Sequence, residues 1–299
     1  MLNNFRKTFV LVAVVATLST GCRYSKKYEN LAKAGDSYTD AVDTLLEQAK
    51  KLHIEASSEA ILADDRISNQ TAEQYQKNAA KDREIIQVIN EIKNHNQLLK
   101  DYFEKLKELA TDDAPERTKK EITGIATNLK KVSNNLKKTS FFPEESVLQR
   151  IGSLVIDSKI QGALREELEK RDRLILKELT IQQEMLKKLS EFMKVRVEIK
   201  RNAQEQRFVI RPLIQESNIQ KEQDWIQQRV NILKSDNRVE QLEAASVALQ
   251  EFKDIFKDSV EDKITVARLN NSLEDIDNFL ALLEKTEQPE QPKANAGDK

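Results

Sequence analysis

One cysteine, six glycines, five prolines and two histidines are spread over 299 residues, and aromatic side chains make up only 5%. Each scarcity excludes something. Strand-rich folds need Gly, Pro or Asn punctuation every ~8–12 residues, which this chain does not supply. A single thiol, Cys22, allows neither an intramolecular disulfide nor a thiolate metal cluster. Scattered glycines yield no G-x-G-x-x-G or G-x-x-x-x-G-K phosphate loop. Charge of one sign is also lacking: 49 Lys+Arg stand against 50 Asp+Glu, with a sequence pI of about 6.3. That balance argues against a bulk nucleic-acid binder, whose pI usually exceeds ~9. What remains is a chain with 33% charged residues and few loop breakers, a composition that predicts long, solvent-exposed helices.

The first 22 residues carry the clearest signal. Arg6 and Lys7 form a short basic region, and Phe9 to Leu18 is an uncharged apolar run of ten residues, within the ~7–15 of a signal peptide and short of the ~20 that span a bilayer. Leu18-Ser19-Thr20-Gly21-Cys22 follows. This segment resembles the lipobox of bacterial lipoproteins, in which small residues precede a cysteine that is lipidated and becomes the mature N-terminus; it departs from the usual pattern at Ser19, where Leu, Val or Ile is commoner. The resemblance implies a signal peptide over 1–21, acylation of Cys22 and a short basic tether over 22–27. By the same resemblance, Arg23 after the cysteine favours sorting to the outer membrane in a Gram-negative envelope; in other bacteria the anchor would lie on the outer face of the cytoplasmic membrane. Acylation turns a soluble chain into an anchored one. No second apolar run of ~18 residues follows Cys22, so the body is expected to be held by its N-terminus alone.

Helical periodicity runs almost throughout the body, over 28–284. Leu31, Gly35, Tyr38, Val42, Leu45, Ala49, Leu52 and Ala56 alternate in steps of four and three, the heptad seam of packed helices. Ile85, Ile89, Ile92, Asn96, Leu99, Phe103, Leu106 and Ala110 repeat the pattern, and Ile122, Ile125, Leu129, Val132 and Leu136 form a third seam. Ser68 or Asn69 is positioned to cap the second helix, and Pro115 to open the third. Phe141-Phe142-Pro143 marks a boundary, with a sub-boundary of the body expected near 140–143. A fourth pattern runs from about Glu144 to Gln206, with a break near Gly152 or Gly162. Pro212, after Phe208-Val209-Ile210-Arg211, predicts a kink or tight turn. A fifth helix carries Ile219, Ile226, Val230 and Leu233, and a last one, capped from Ser235-Asp236-Asn237, carries Leu242, Ala245, Leu249, Phe252 and Phe256. Residues 285–299 have the composition of a disordered tail. The fold class expected is all-α, an elongated antiparallel helical bundle built from coiled-coil hairpins.

Candidate chemistry is sparse. His53 and His95 have no second imidazole at i, i+4 spacing and no H-E-x-x-H, so surface or seam histidines are expected and no metal. Gly35-Asp36-Ser37 superficially resembles the nucleophile block of GDS-type serine esterases, but that chemistry needs a histidine near the C-terminus and none follows residue 95. Neither catalysis nor a cofactor is expected. The one charge anomaly is the segment from Pro115 to Ser140, where seven basic side chains face two acidic ones. At 100° per residue, Lys119, Lys130 and Lys137 form one row, and Lys120, Lys131 and Lys138 a second row beside it. Such a face suits an acidic partner, anionic headgroups or plain solvent.

These features predict a lipid-anchored cell-envelope protein that works without catalysis, through helix faces offered to a protein partner, a second copy of the chain included. The competing expectation is a membrane-active helical protein resembling pore-forming toxins or lipid-surface binders and using the basic helix over 115–140.

Overall fold

The computed structural model describes residues 2–64, 71–111, 115–149, 151, 162–215, 221–233 and 250–261, with isolated positions up to 274; the side chains of the first helix are described from Glu29 onward. The expected caps at Ser68, Asn69 and Ser235 to Asn237, the apolar positions Ile219, Leu242, Ala245 and Leu249, and the tail over 285–299 lie outside the described residues, as does the side chain of Cys22.

The described chain is all-α, without a strand among the described residues. Its elements are α1 (Leu2–Asp64), α2 (Ala72–Thr111), α3 (Pro115–Leu136), the single turn α4 (Glu145–Leu148), α5 (Ala163–Gln204), a π-helical turn (Glu205–Ile210), α6 (Arg211–Gln215) and α7 (Glu222–Leu233); α8 covers 250–260. Thr71 opens α2, its hydroxyl accepting the Gln74 N–H at 3.2 Å. Pro115 occupies the first position of α3, where its missing N–H is no loss.

Cross-links between helices give their directions. Lys100 reaches Asp40, Lys93 reaches Glu47 and Ser57 reaches Asp82, so α1 and α2 are antiparallel. Lys105 meets Glu121, while His95 and Ser133 share Glu178, so α2 and α3 are antiparallel as well. Short connections enforce this alternation. It stops at α5, which pairs with α3 through Lys119–Glu166 and Thr123–Arg171 and with α1 through Tyr38–Gln182, Glu55–Lys200 and Ala63–Arg211. In both pairs the numbers rise together, so α5 runs parallel to α1 and α3. The chain after α3 therefore has to come back. Phe142 sits at the level of Lys188, which donates to its carbonyl, whereas Leu148 and Ile151 lie beside Arg173 and Lys177. Of the pattern expected from Glu144, the described residues thus show this return with its single turn α4, and the break expected near Gly152 or Gly162 falls at Gly162, where the long helix starts at Ala163. Gly162, at φ 79°, makes the entry turn in a conformation that other residues avoid.

A tight turn at Pro212 is excluded, because the chain stays helical there and changes its helical register instead. Arg211 N–H donates to Gln206 O, five residues back, and the widened π turn admits a proline without breaking the helix. From Ala163 to Gln215 the chain is continuously helical, about 80 Å at 1.5 Å per residue.

A single apolar core runs between the helices, from Leu31 to Val260. Near its N-terminal end Phe252 of α8 stacks on Tyr38 at 4.6 Å and meets Phe103 edge-on at 5.3 Å. Gly35 is required there, because a Cβ at that position would lie 2.5 Å from Phe103 Cγ. Gly124 on α3 has nothing within 4 Å. The same substitution should therefore have opposite effects at the two sites. In urea unfolding, Gly124→Ala is expected to raise stability by about 0.5–1 kcal/mol, and Gly35→Ala to lower it by about 1–3 kcal/mol. Phe103→Leu should restore part of that loss in the double variant.

Candidate functional site

α3 is shaped by its seam. Ile122, Ala126, Leu129, Val132 and Leu136 are buried, with Thr118 and Ser133 on the same side, so the lysines of this helix are forced outward. The structure separates them into two groups. Lys119 is drawn into a bridge, 3.2 Å from Glu116 and 2.7 Å from Glu166 on α5. The hydrogen bonds to Glu166 and then Glu116 hold its ammonium above the ordinary lysine value. Lys120, Lys130, Lys131, Lys137 and Lys138 are exposed and form no ion pair with a described residue. Lys137 and Lys138 continue the helical course just past α3, with Lys137 N–H bonded to Ser133 O at 3.0 Å. Lysines near a helix C-terminus are also favoured by its dipole. Between them the exposed positions are Thr123, Gly124, Thr127, Asn128, Asn134 and Asn135. Phe141, which could have served as an apolar wedge beside this face, is 4% exposed and meets Phe192 edge-on at 5.5 Å. Phe142 is partly buried against the same core. The pair forms a core corner.

The imidazoles are inside, as seam histidines. His95 Nε2 lies 3.0 Å from Glu178 Oε2, and the Ser133 hydroxyl donates to that same oxygen. A serine, a histidine and a carboxylate thus meet, a grouping invisible in the sequence because its members lie on α2, α3 and α5. Their order is not that of a Ser–His nucleophile: the carboxylate stands between hydroxyl and imidazole, so the serine proton points at Glu178 and not at the His95 ring. His95, Ser133 and Glu178 are 0%, 4% and 2% exposed. This is a sealed structural lock between three helices. Gly35-Asp36-Ser37 lies in mid-α1, its glycine set by the Phe103 contact. Among the described residues no three His, Cys, Asp or Glu side chains are placed to hold a metal ion. A groove of ≈ 290 Å³ lies between α4 and α5, lined by Glu145, Leu148, Gln149, Ile151, Arg173 and Lys177; it presents no imidazole or hydroxyl nucleophile.

No family model, curated protein or solved structure matches this chain. The exposed lysine face of α3 is the feature of the described residues best suited to meet another molecule.

His53 gives the fold a specific acid sensitivity. It is buried on α1, with Nε2 3.1 Å from Asp82 Oδ1, its ring 5.7 Å from Phe192 and Arg196 stacked on that same phenyl ring. Burial pulls its pKa below the ordinary 6.5, Arg196 adds to the depression and Asp82 opposes it. The unfolded chain takes up this proton near 6.5, the folded chain only at lower pH, so between the two values the unfolded state binds more protons. Stability is full above about pH 6.5 and is lost as pH falls toward the folded value. Urea midpoints at about pH 7 and about pH 5.5 should differ less in His53→Phe than in the unsubstituted chain. An equal acid loss in both would remove His53 as its source.

Proposed function

We propose that this chain is a lipid-anchored protein of the bacterial cell envelope whose helical rod acts without catalysis, as a structural and protein-interaction module. The observation that carries the proposal is the leader: a basic start, a ten-residue apolar run, and Leu18 to Gly21 before the chain's one cysteine. A lone cysteine at that position is accounted for by acylation. The first core residue among the described side chains, Leu31, follows Cys22 by nine positions within α1, so an anchor at Cys22 would hold the rod close to its leaflet.

The distribution of exposed apolar side chains supports contact with a protein at the other end. Ile54, Leu62, Leu213, Ile214, Val230 and Leu233 are exposed, and all lie toward the end of the rod remote from Glu29, where α1 pairs with the stretch from Lys200 to Arg211. Protein interfaces need such an apolar centre. A pore-forming mode is less well supported. The apolar faces of α1, α2, α3 and α5 meet each other in one core, and among the described residues no helix is long and apolar enough to cross a membrane.

The test is covalent. Metabolic labelling with an alkyne-bearing fatty acid should tag the unsubstituted chain, and intact-mass analysis should find a mature form that begins at an acylated Cys22. Cys22→Ala should lose the label and fail to be processed. A mature chain that carries no acyl group, or one beginning elsewhere, would remove the anchor from the proposal.

A further inference from the structure

The lysine face of α3 has an unusual makeup for a surface that meets protein. From Ile122 to Pro143 there is no acidic residue, and the exposed positions of α3 within this stretch carry no Arg, no aromatic ring and no large apolar side chain. Protein interfaces are enriched in Arg and aromatics and depleted in Lys. Arg makes directional, two-pronged contacts, whereas Lys is a hydrated point charge on a flexible stem. A face made of Lys, Asn and Thr therefore fits a partner that is anionic, hydrated and without fixed positions for its charges. Nor can α3 insert, because Ile122, Leu129 and Leu136 are fully buried and Phe141 nearly so. Contact on this side is confined to polar groups. From Lys120 to Lys138 the stripe is about 27 Å long at 1.5 Å per residue. It runs along the axis shared with α1 and α5, and its two rows lie about 100° apart, so both can address one plane.

We propose that Lys120, Lys130, Lys131, Lys137 and Lys138 rest on anionic phospholipid headgroups, giving the rod a second, electrostatic hold on the membrane and laying its anchor-proximal part along the bilayer. Each lysine brought to an anionic leaflet strengthens binding by roughly fivefold, and such binding is screened by salt. The inference uses the proposed anchorage only in choosing which membrane is met. It is read on unacylated protein, so either proposal can fail while the other stands.

The experiment is co-sedimentation of the mature chain, residues 22–299 with Cys22→Ser, which keeps every described core residue from Leu31 onward. The probes are vesicles of phosphatidylcholine alone and of phosphatidylcholine mixed with phosphatidylglycerol. The chain should pellet with the anionic vesicles only, and high salt should release it. The quadruple variant Lys130→Gln, Lys131→Gln, Lys137→Gln, Lys138→Gln should bind at least ~10-fold more weakly with its helical circular dichroism unchanged. A control variant that removes as many charges from exposed lysines elsewhere, at Lys77, Lys81, Lys187 and Lys257, should bind as the parent does. Equal loss in both variants would make net charge the cause and overturn the proposal. Binding to neutral vesicles, or no binding to anionic ones, would overturn it too; if the face then proved crosslinked to an acidic protein in cells, it would belong to that protein.

Discussion

Asn96 is the point on which the register of the bundle depends. Its amide nitrogen donates to Thr39 O at 2.7 Å and to Asp43 Oδ1 at 2.8 Å. Its oxygen accepts from Gln182 Nε2 at 2.7 Å, and Gln182 Oε1 in turn accepts the Tyr38 hydroxyl at 2.6 Å. Three helices, α1, α2 and α5, are joined through one buried amide. Seams of Leu, Ile and Ala tolerate sliding by a heptad, about 10 Å, at little cost because one apolar side chain replaces another. A slide here would strand Asn96, Gln182 and Tyr38 without partners, at about 1–3 kcal/mol for each buried group left unmade. The polar core thus specifies which of several similar packings is adopted, as a polar residue in a coiled-coil seam does.

Neighbouring layers hang on that one. One residue earlier on α2, His95 carries the lock to Glu178 on α5 and through it to Ser133 on α3. Tyr38, whose hydroxyl belongs to the Asn96 network, offers its ring to Phe252 and so seats α8. Further toward the N-terminus of α5, Arg171 is buried against Glu167 and reaches Thr123. Burial raises the Glu167 pKa and the Arg171 guanidinium opposes that rise. α3 is therefore held to α5 by its seam, by Ser133–Glu178, by Thr123–Arg171 and by Lys119–Glu166, and its outward azimuth is fixed.

How much of this was legible follows from where each signal resides. Local periodicity gave the seams of α1, α2 and α3 and the boundary at Pro115, because burial of one stripe and the missing N–H of proline act within a few residues. It left the break after Glu144 open between Gly152 and Gly162, since Leu164 to Met193 recur at helical spacing wherever the helix starts; the positive φ of Gly162 and the return beside Arg173 are tertiary facts. Pro212 was read as a kink or tight turn, and the π turn that accommodates it was missed because such a turn has no sequence signature of its own. Ile226, Val230 and Leu233 were placed on a fifth helix, and α7 carries all three, but with their side chains exposed. In the lysine rows, Lys119 shares an azimuth with Lys130 and Lys137. Only the fold shows that Glu166, 47 residues further on, claims it.

That distinction bears on what the face can do. A flexible polybasic tail also collects lysines, but each must lose chain entropy when the tail is laid on a surface. Here the cost is met when the protein folds: burial of Ile122, Leu129 and Leu136 fixes the backbone and the direction of every lysine at once. The ion pairs at the flanks serve the same end. Lys105–Glu121 and Lys119–Glu166 neutralise charge where α3 meets α2 and α5, which leaves the uncompensated charge on the side that faces no other helix among the described residues. The near-neutral total of 49 against 50 thus coexists with a locally cationic surface, because cross-helix pairing is itself unevenly distributed. A surface of that kind is oriented by the core beneath it, so a change that loosened the Glu178 or Arg171 contacts would weaken the proposed headgroup contact without altering a single exposed lysine.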